Sequence, residues 1–177
     1  QSLMNQAVSE YKPDLIVLPE VFSFVGEKEE ARKVLTPLAQ NPAVEMCVVF
    51  AKEKKIAICA GSILLPTKAG KATNTCLFIS PEGKIIHRYD KIHLFDYTAA
   101  SGEVYAESEH IQGGSSELVF LWEGITFGVA ICYDLRFPEL FRRLAVLGAE
   151  VILVPSAFTK PTGQAHFEVL VRARAIE

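Results

Sequence analysis

No apolar run in the 177-residue sequence approaches the ~20 residues that a membrane-spanning helix needs. The opening segment, QSLMNQAVSEYKPD, has no basic stretch and no apolar core, so it does not read as a signal peptide. Lys and Arg never run beyond a pair and the formal charge is −3, which argues against nucleic acid or an anionic membrane surface as the main partner. There is no C-x-x-C pair, no H-x-x-x-H and no His/Cys ligand spacing, so a structural zinc site has little support. Cysteine is sparse: four residues, at 47, 59, 76 and 132, three of them inside apolar periodic segments. A disulfide framework is not expected in a chain this long and apolar, and a reduced, cytoplasmic setting is. Tandem repeats are absent as well.

Half of the residues are apolar and 22% are charged, enough for a sizeable core in one domain over residues 1–177. Neither end carries a cap or stop signal. The chain opens inside an apparent helix and closes on VRARAIE, so a domain truncated at both ends is expected. Residues 1–11 form a short amphipathic helix in this reading, with Leu3, Met4, Ala7 and Val8 inward. DLIVLPE (14–20) is a continuous apolar run of strand length, as suits a strand buried on both faces. EKEEARKVLTPLAQ and NPAVEMCVVFAKEKK read as helices. In the second, Val44, Cys47, Val48 and Ala51 share a face, Pro42 suits the first turn and the Lys-rich end suits the dipole. IAICAGSILL is a strand, ATNTCLFISPEGKIIHRYDK a hairpin turning at SPEG, and ELVFLWEGITFGVAIC a second two-strand unit turning at WEG. Residues 91–116 read as a long loop, and such loops are more often functional than idle. PELFRRLAVLGAE is a helix stopped by Gly148, EVILVPSAF a buried strand broken by proline, and GQAHFEVLVRARAIE a final helix. Hairpins mixed with helix-flanked strands give α/β layers with helices on a mixed sheet. DLIVLPE and EVILVPS echo each other: each runs a strand into Pro and a polar residue, which places the two polar residues at one rim or simply ends each strand in a turn.

The chemistry-bearing candidates are few. Cys132 ends the strand GVAI just before a helix start near Pro138, where the positive end of a helix dipole favours thiolate. The alternative is an ordinary core cysteine. Glu20 ends a strand among VFSF. A carboxylate among apolar groups has a raised pKa and can serve as a base near neutral pH; a solvated strand-end acid is the other reading. Lys91, in YDKIHLFD, is either functional or half of a surface ion pair with Asp90. Asp134 and Arg136 can pair and brace their turn, or Arg136 can grip a substrate carboxylate. Glu107 is loop-borne, in YAESEH. His93 reads as structural, and the phenylalanines near these groups read mostly as core.

Taken together, DLIVLPE, YDKIHLFD, GVAICYDLRFPEL and VPSAFTKPTGQAHFEVLVRARAIE resemble the nitrilase, or carbon–nitrogen hydrolase, superfamily, over nearly the whole chain. The resemblance implies an α/β fold, an α-β-β-α sandwich, and a catalytic set of Glu20, Lys91 and Cys132 assisted by Glu107. It also implies no metal and no organic cofactor, and a homodimer or higher homo-oligomer. CYDLRFPEL and the C-terminal segment look most like the branch of omega-amidase and deaminated-glutathione amidase, which implies a small-molecule ω-amide substrate with Arg136 on its carboxylate. On that reading Lys91 and the backbone N–H of Tyr133 hold the oxyanion of a thioester-forming reaction. The sequence departs from full-length members, which have a strand before the first helix and further strands after RARAIE. The other readings are an N-carbamoyl-amino-acid amidohydrolase or nitrilase, an acyltransferase passing the acyl group to an amine, a non-catalytic binding relative, and a thiol redox sensor. The last lacks a resolving cysteine near Cys132.

Overall fold

The computed structural model describes residues 1–24, 35–99 and 102–177. A first helix, α1 (Ser2–Tyr11), leads into a short strand, β1 (Leu15–Val17). A second helix, α2 (Pro42–Lys54), starts as its sequence dictates. The Asn41 side chain accepts from the Ala43 and Val44 N–H groups at 3.0 and 3.2 Å, with Pro42 in the first turn. Strands β2 (Ala57–Pro66), β3 (Ala72–Ile79) and β4 (Ile85–Asp90) follow, with β3 and β4 joined at the expected SPEG turn. They form a sheet of order β1-β2-β3-β4, parallel only between β1 and β2. A small hairpin, β5 (Asp96–Thr98) and β6 (Val104–Ala106), stands apart. A second sheet holds β7 (Leu118–Trp122), β8 (Ile125–Val129) and β9 (Val151–Leu153), with α3 (Pro138–Val146) crossing between β8 and β9. The chain closes on a helix, α4, over 160–176.

Period-two patterning sorts the core into layers. Ala57, Cys59, Cys76 and Phe78 face inward and meet Phe120, Phe127, Val129 and Leu153 of the second sheet. Phe78 fixes this contact, with its ring 4.7 Å from Phe120 and 5.5 Å edge-on to Trp122. Ile58, Ala60, Leu77 and Ile79 face the other way and are covered by Met4, Val44, Cys47, Phe50 and Ala51 of α1 and α2. On the far side Leu140, Phe141 and Leu144 of α3 pack on Ala130, Val119 and Ile152. The result is the expected α-β-β-α sandwich. Gly148, at φ 95°, ends α3 as foreseen, its N–H donating to the Ala145 carbonyl.

Several expectations need correction. Leu3 is not inward: it is 80% exposed, and Met4 carries the contact of α1. β1 and β9 are not buried on both faces. Each is the edge strand of its sheet among the described residues, and Val17 and Val151 are exposed. The helix read over 27–40 lies largely outside the described residues, and the part that is described holds only a 3-10 turn, Leu38–Gln40. The long loop over 91–116 is not structureless: it contains β5, β6 and a 3-10 turn at Glu107–Glu109. The last helix starts earlier than its sequence signal, at Lys160, and passes through a π-helical stretch at Gly163–Phe167.

Candidate active site

Glu20 stands just beyond β1, and backbone contacts fix that position. The chain after β1 continues the parallel ladder, with the Leu18 N–H donating to the Cys59 carbonyl. It then meets an irregularity in β2 between Ala60 and Ile63. There the Ser62 N–H donates to the Pro19 carbonyl, and the Ser62 hydroxyl accepts from the Val21 N–H at 2.8 Å. A Cβ on Gly61 would sit 1.6 Å from the Leu18 oxygen, so only glycine lets β1 deliver Glu20 so close to β2. Lys91 is placed by a similar approach. It follows the last residue of β4, its carbonyl accepts from the Gly114 N–H, and a Cβ on Gly114 would come within 2.1 Å of the Asp90 oxygen.

Lys91 is 2% exposed and Glu20 9%. The Lys91 ammonium lies 3.0 Å from Glu20 Oε1 and 2.9 Å from Glu107 Oε2. This corrects the surface-pair reading, since Asp90 pairs with Arg88 instead. Burial would push the ammonium down. The Glu20 and Glu107 carboxylates, with Cys132 behind them, reverse that and hold it above the ordinary lysine range. Glu20 Oε2 accepts from the Ala157 N–H at 3.0 Å, so the segment after β9 reaches the same carboxylate. The echoed strand ends therefore do converge, but through backbone Ala157; the Ser156 hydroxyl donates to its own Val154 carbonyl. Glu107 is a bonded member of the cluster, not an idle loop acid: it also accepts from the Phe95 N–H.

Cys132 opens a 3-10 turn (Cys132–Arg136), with φ 46°, in the left-handed region that strains a residue bearing a Cβ. Its N–H donates to the Pro155 carbonyl. The helix dipole does not make it a thiolate. Helix α3 starts six residues on, and burial, then the Glu20 charge, push the thiol up to about 12. The thiol is protonated at neutral pH, so it needs a base, and Glu20 is the carboxylate whose charge acts on it. Burial likewise pushes the Cys47 thiol up to about 12. The unfolded chain releases thiol protons above about pH 8.5, while the folded chain keeps them. The melting temperature is expected to fall between about pH 9 and pH 12, and calorimetry should find a shallower fall in Cys132→Ser.

Asp134 does not pair with Arg136. It is fully buried and accepts from the Tyr89 hydroxyl at 2.7 Å, the Ile131 N–H at 2.8 Å, the His93 N–H at 2.9 Å and His93 Nδ1 at 2.7 Å. A carboxylate only accepts, so the His93 proton on Nδ1 is assigned by this contact. The His93 ring stacks on Phe137 at 3.7 Å, in keeping with a structural histidine. Arg136 lies between aromatic rings, its guanidinium carbon 5.7 Å from the Tyr133 centroid and 5.6 Å from that of Phe158, with Nη2 3.2 Å from His166 Nδ1. No carboxylate pairs with Arg136 among the described residues. Glu20, Lys91, Glu107, Cys132, Tyr133 and Arg136 all line one cavity of about 410 Å³. No group of three or more metal-ligating side chains occurs among the described residues, and no described helix is long and apolar enough to cross a membrane.

Sequence reading missed Asn74. It lies in the buried interior of β3, and its side-chain Nδ2 donates to Glu20 Oε1 at 3.0 Å and to Glu107 Oε1 at 3.2 Å. An asparagine amid the strand run ATNTCLFI is the available signal, since its short polar side chain suits strands poorly.

The chain is similar to known proteins over nearly its whole length. The chain is 40% identical over 169 residues to a deaminated glutathione amidase of Synechocystis, covering 93% of this chain and 61% of that protein. It is 35% identical over 182 residues to an omega-amidase of Saccharomyces cerevisiae, covering 99% and 62%. The crystal structure of Saccharomyces cerevisiae Nit3, a member of branch 10 of the nitrilase superfamily, superposes with a TM-score of 0.85 at 33% identity, covering 98% of this chain and 62% of that one. The chain thus spans about three fifths of the length of these relatives. The carbon-nitrogen hydrolase family profile matches residues 1–177, and with the sandwich and the buried acid–lysine–thiol cluster now described, the chain belongs to that family.

Proposed function

We propose that the protein hydrolyses the amide bond of a small carboxylic-acid amide through a cysteine thioester, releasing ammonia. The observation that carries this reading is the buried ammonium of Lys91, 3.0 Å from Glu20 and 2.9 Å from Glu107, in the cavity that Cys132 also lines. Glu20 takes the Cys132 proton as the sulfur forms a bond to the amide carbon. The Lys91 ammonium and the Tyr133 backbone N–H receive the negative charge that develops on oxygen. The protonated Glu20 then gives its proton to the nitrogen as the C–N bond breaks, and ammonia leaves. Water attacks the thioester while Glu20 takes its proton, the C–S bond breaks and the thiol is restored. A protonated thiol beside a carboxylate supports this order, because the base acts at the moment of attack.

Glu107 holds Lys91 in place, and Arg136 receives the carboxylate of the substrate. The aromatic setting of Arg136, without an internal carboxylate partner among the described residues, supports that role. The names of the relatives, omega-amidase and deaminated glutathione amidase, point to ω-amides of this kind. The test offers the purified protein ω-amides of dicarboxylic acids, N-carbamoyl amino acids and nitriles, and reads ammonia release. Turnover confined to the ω-amides is the expected result. Turnover of only the carbamoyl compounds or only the nitriles overturns the amidase reading.

A further inference from the structure

Asn74 is held by opposing demands, and they point to a task. Its amide has one sensible orientation. Nδ2 faces two carboxylate oxygens, Glu20 Oε1 and Glu107 Oε1; turned over, Oδ1 would face them and repel both. That orientation leaves Oδ1 buried with no hydrogen-bond partner among the described residues, while the residue as a whole is 2% exposed. A buried acceptor without a donor costs stability. An alanine or valine in a strand interior would avoid that cost and suit β3 better. The position therefore serves the N–H groups, not the stability of the strand.

The main chain of Asn74 serves the same cluster. Its carbonyl accepts from the Lys91 N–H at 2.9 Å, beyond the last register pair of β3 and β4. One residue thus touches Glu20, Glu107 and Lys91. Without Nδ2, Glu20 Oε1 keeps only the ammonium among the described residues, and each carboxylate can pivot about its remaining backbone bond, Glu20 on the Ala157 N–H and Glu107 on the Phe95 N–H, to share the ammonium two-pronged. Such a swing turns the Glu20 oxygens away from the sulfur. The two acids would compete for the lysine where they now flank it.

We propose that Asn74 is a positioning residue: its Nδ2 bridges the two carboxylates and sets the angle at which Glu20 meets the Cys132 thiol. The inference rests on the amidase reading for its turnover assay, and a second readout frees it from that dependence. Asn74→Ala is expected to lower kcat about 10- to 100-fold with KM changed less than about threefold, the scale of a base misplaced by about an ångström. Asn74→Asp keeps the side-chain shape, removes the N–H groups and adds a third acid, so it is expected to lose more than Asn74→Ala. A packing role gives the opposite order, with the truncated side chain worse than the isosteric one.

The second readout is the rate at which iodoacetamide alkylates Cys132 at neutral pH, followed by intact-mass spectrometry, which needs no turnover. Both variants are expected to react about tenfold more slowly than the parent protein. Circular dichroism establishes which variants are folded, and Asn74→Ala carries the test alone if the aspartate variant does not fold. Alkylation at the parent rate in a folded variant overturns the proposal, and so does an alanine variant slower than the aspartate one. A parent protein that releases no ammonia from any amide ends the amidase reading, yet leaves the alkylation series to decide the role of Asn74.

Discussion

Cys132→Ala is expected to lose kcat on the order of 10^6-fold, down to the background of the assay, the scale seen when a hydrolase loses its nucleophile. The threonine hydroxyls on the cavity wall are not free to replace the sulfur, since those of Thr159 and Thr162 bond each other at 2.7 Å. The fold should survive. The change removes one small, inward-facing group, and alanine meets the same left-handed backbone that cysteine does, so strain is unaltered. Melting curves overlaying those of the parent, together with absent ammonia release, are the expected pair of results. Retained hydrolysis would remove the sulfur from the mechanism.

Lys91→Met strikes rate and stability together. Methionine fills a similar volume but leaves the Glu20 and Glu107 carboxylates facing each other in a buried site without the cation between them. Breaking one partner out of a buried ionic cluster costs about 3–5 kcal/mol. For a chain of this size that lowers the melting temperature by roughly 6–20 °C. The rate suffers separately. Loss of one oxyanion donor costs about 100- to 1,000-fold, and a displaced Glu20 adds to that. Differential scanning calorimetry and ammonia release on the same preparation measure both. A variant that melts with the parent and turns over within tenfold of it would show that the ammonium is a bystander.

Much of this site was legible in the sequence, for reasons that particular residues make plain. Glu20, Lys91 and Cys132 each terminate a strand-like run, and strand ends are where a sheet delivers side chains to a rim. The hairpin turns at SPEG and WEG and the stop at Gly148 carry their own backbone chemistry, so they could be placed locally. What stayed hidden depends on contacts between distant segments. Val17 reads as core, yet β1 lies at a sheet edge, and edge position is a property of topology rather than of DLIVLPE. The thiol of Cys132 was read from its nearness to a helix start, whereas burial and a carboxylate more than a hundred residues away set its protonation. Asn74 was silent because its meaning lies in two acids from other elements. Asp134 looked like a partner for its neighbour Arg136, and its true partners lie some forty residues upstream in Tyr89 and His93.

That last carboxylate has a mechanical consequence. Asp134 ties the turn that bears the sulfur to Tyr89 and His93, which flank the ammonium-bearing residue on either side. The sulfur and the ammonium are therefore tied to each other through one buried carboxylate. Thermal breathing of the cleft can widen or narrow its mouth, but the spacing between those two groups should hardly register it.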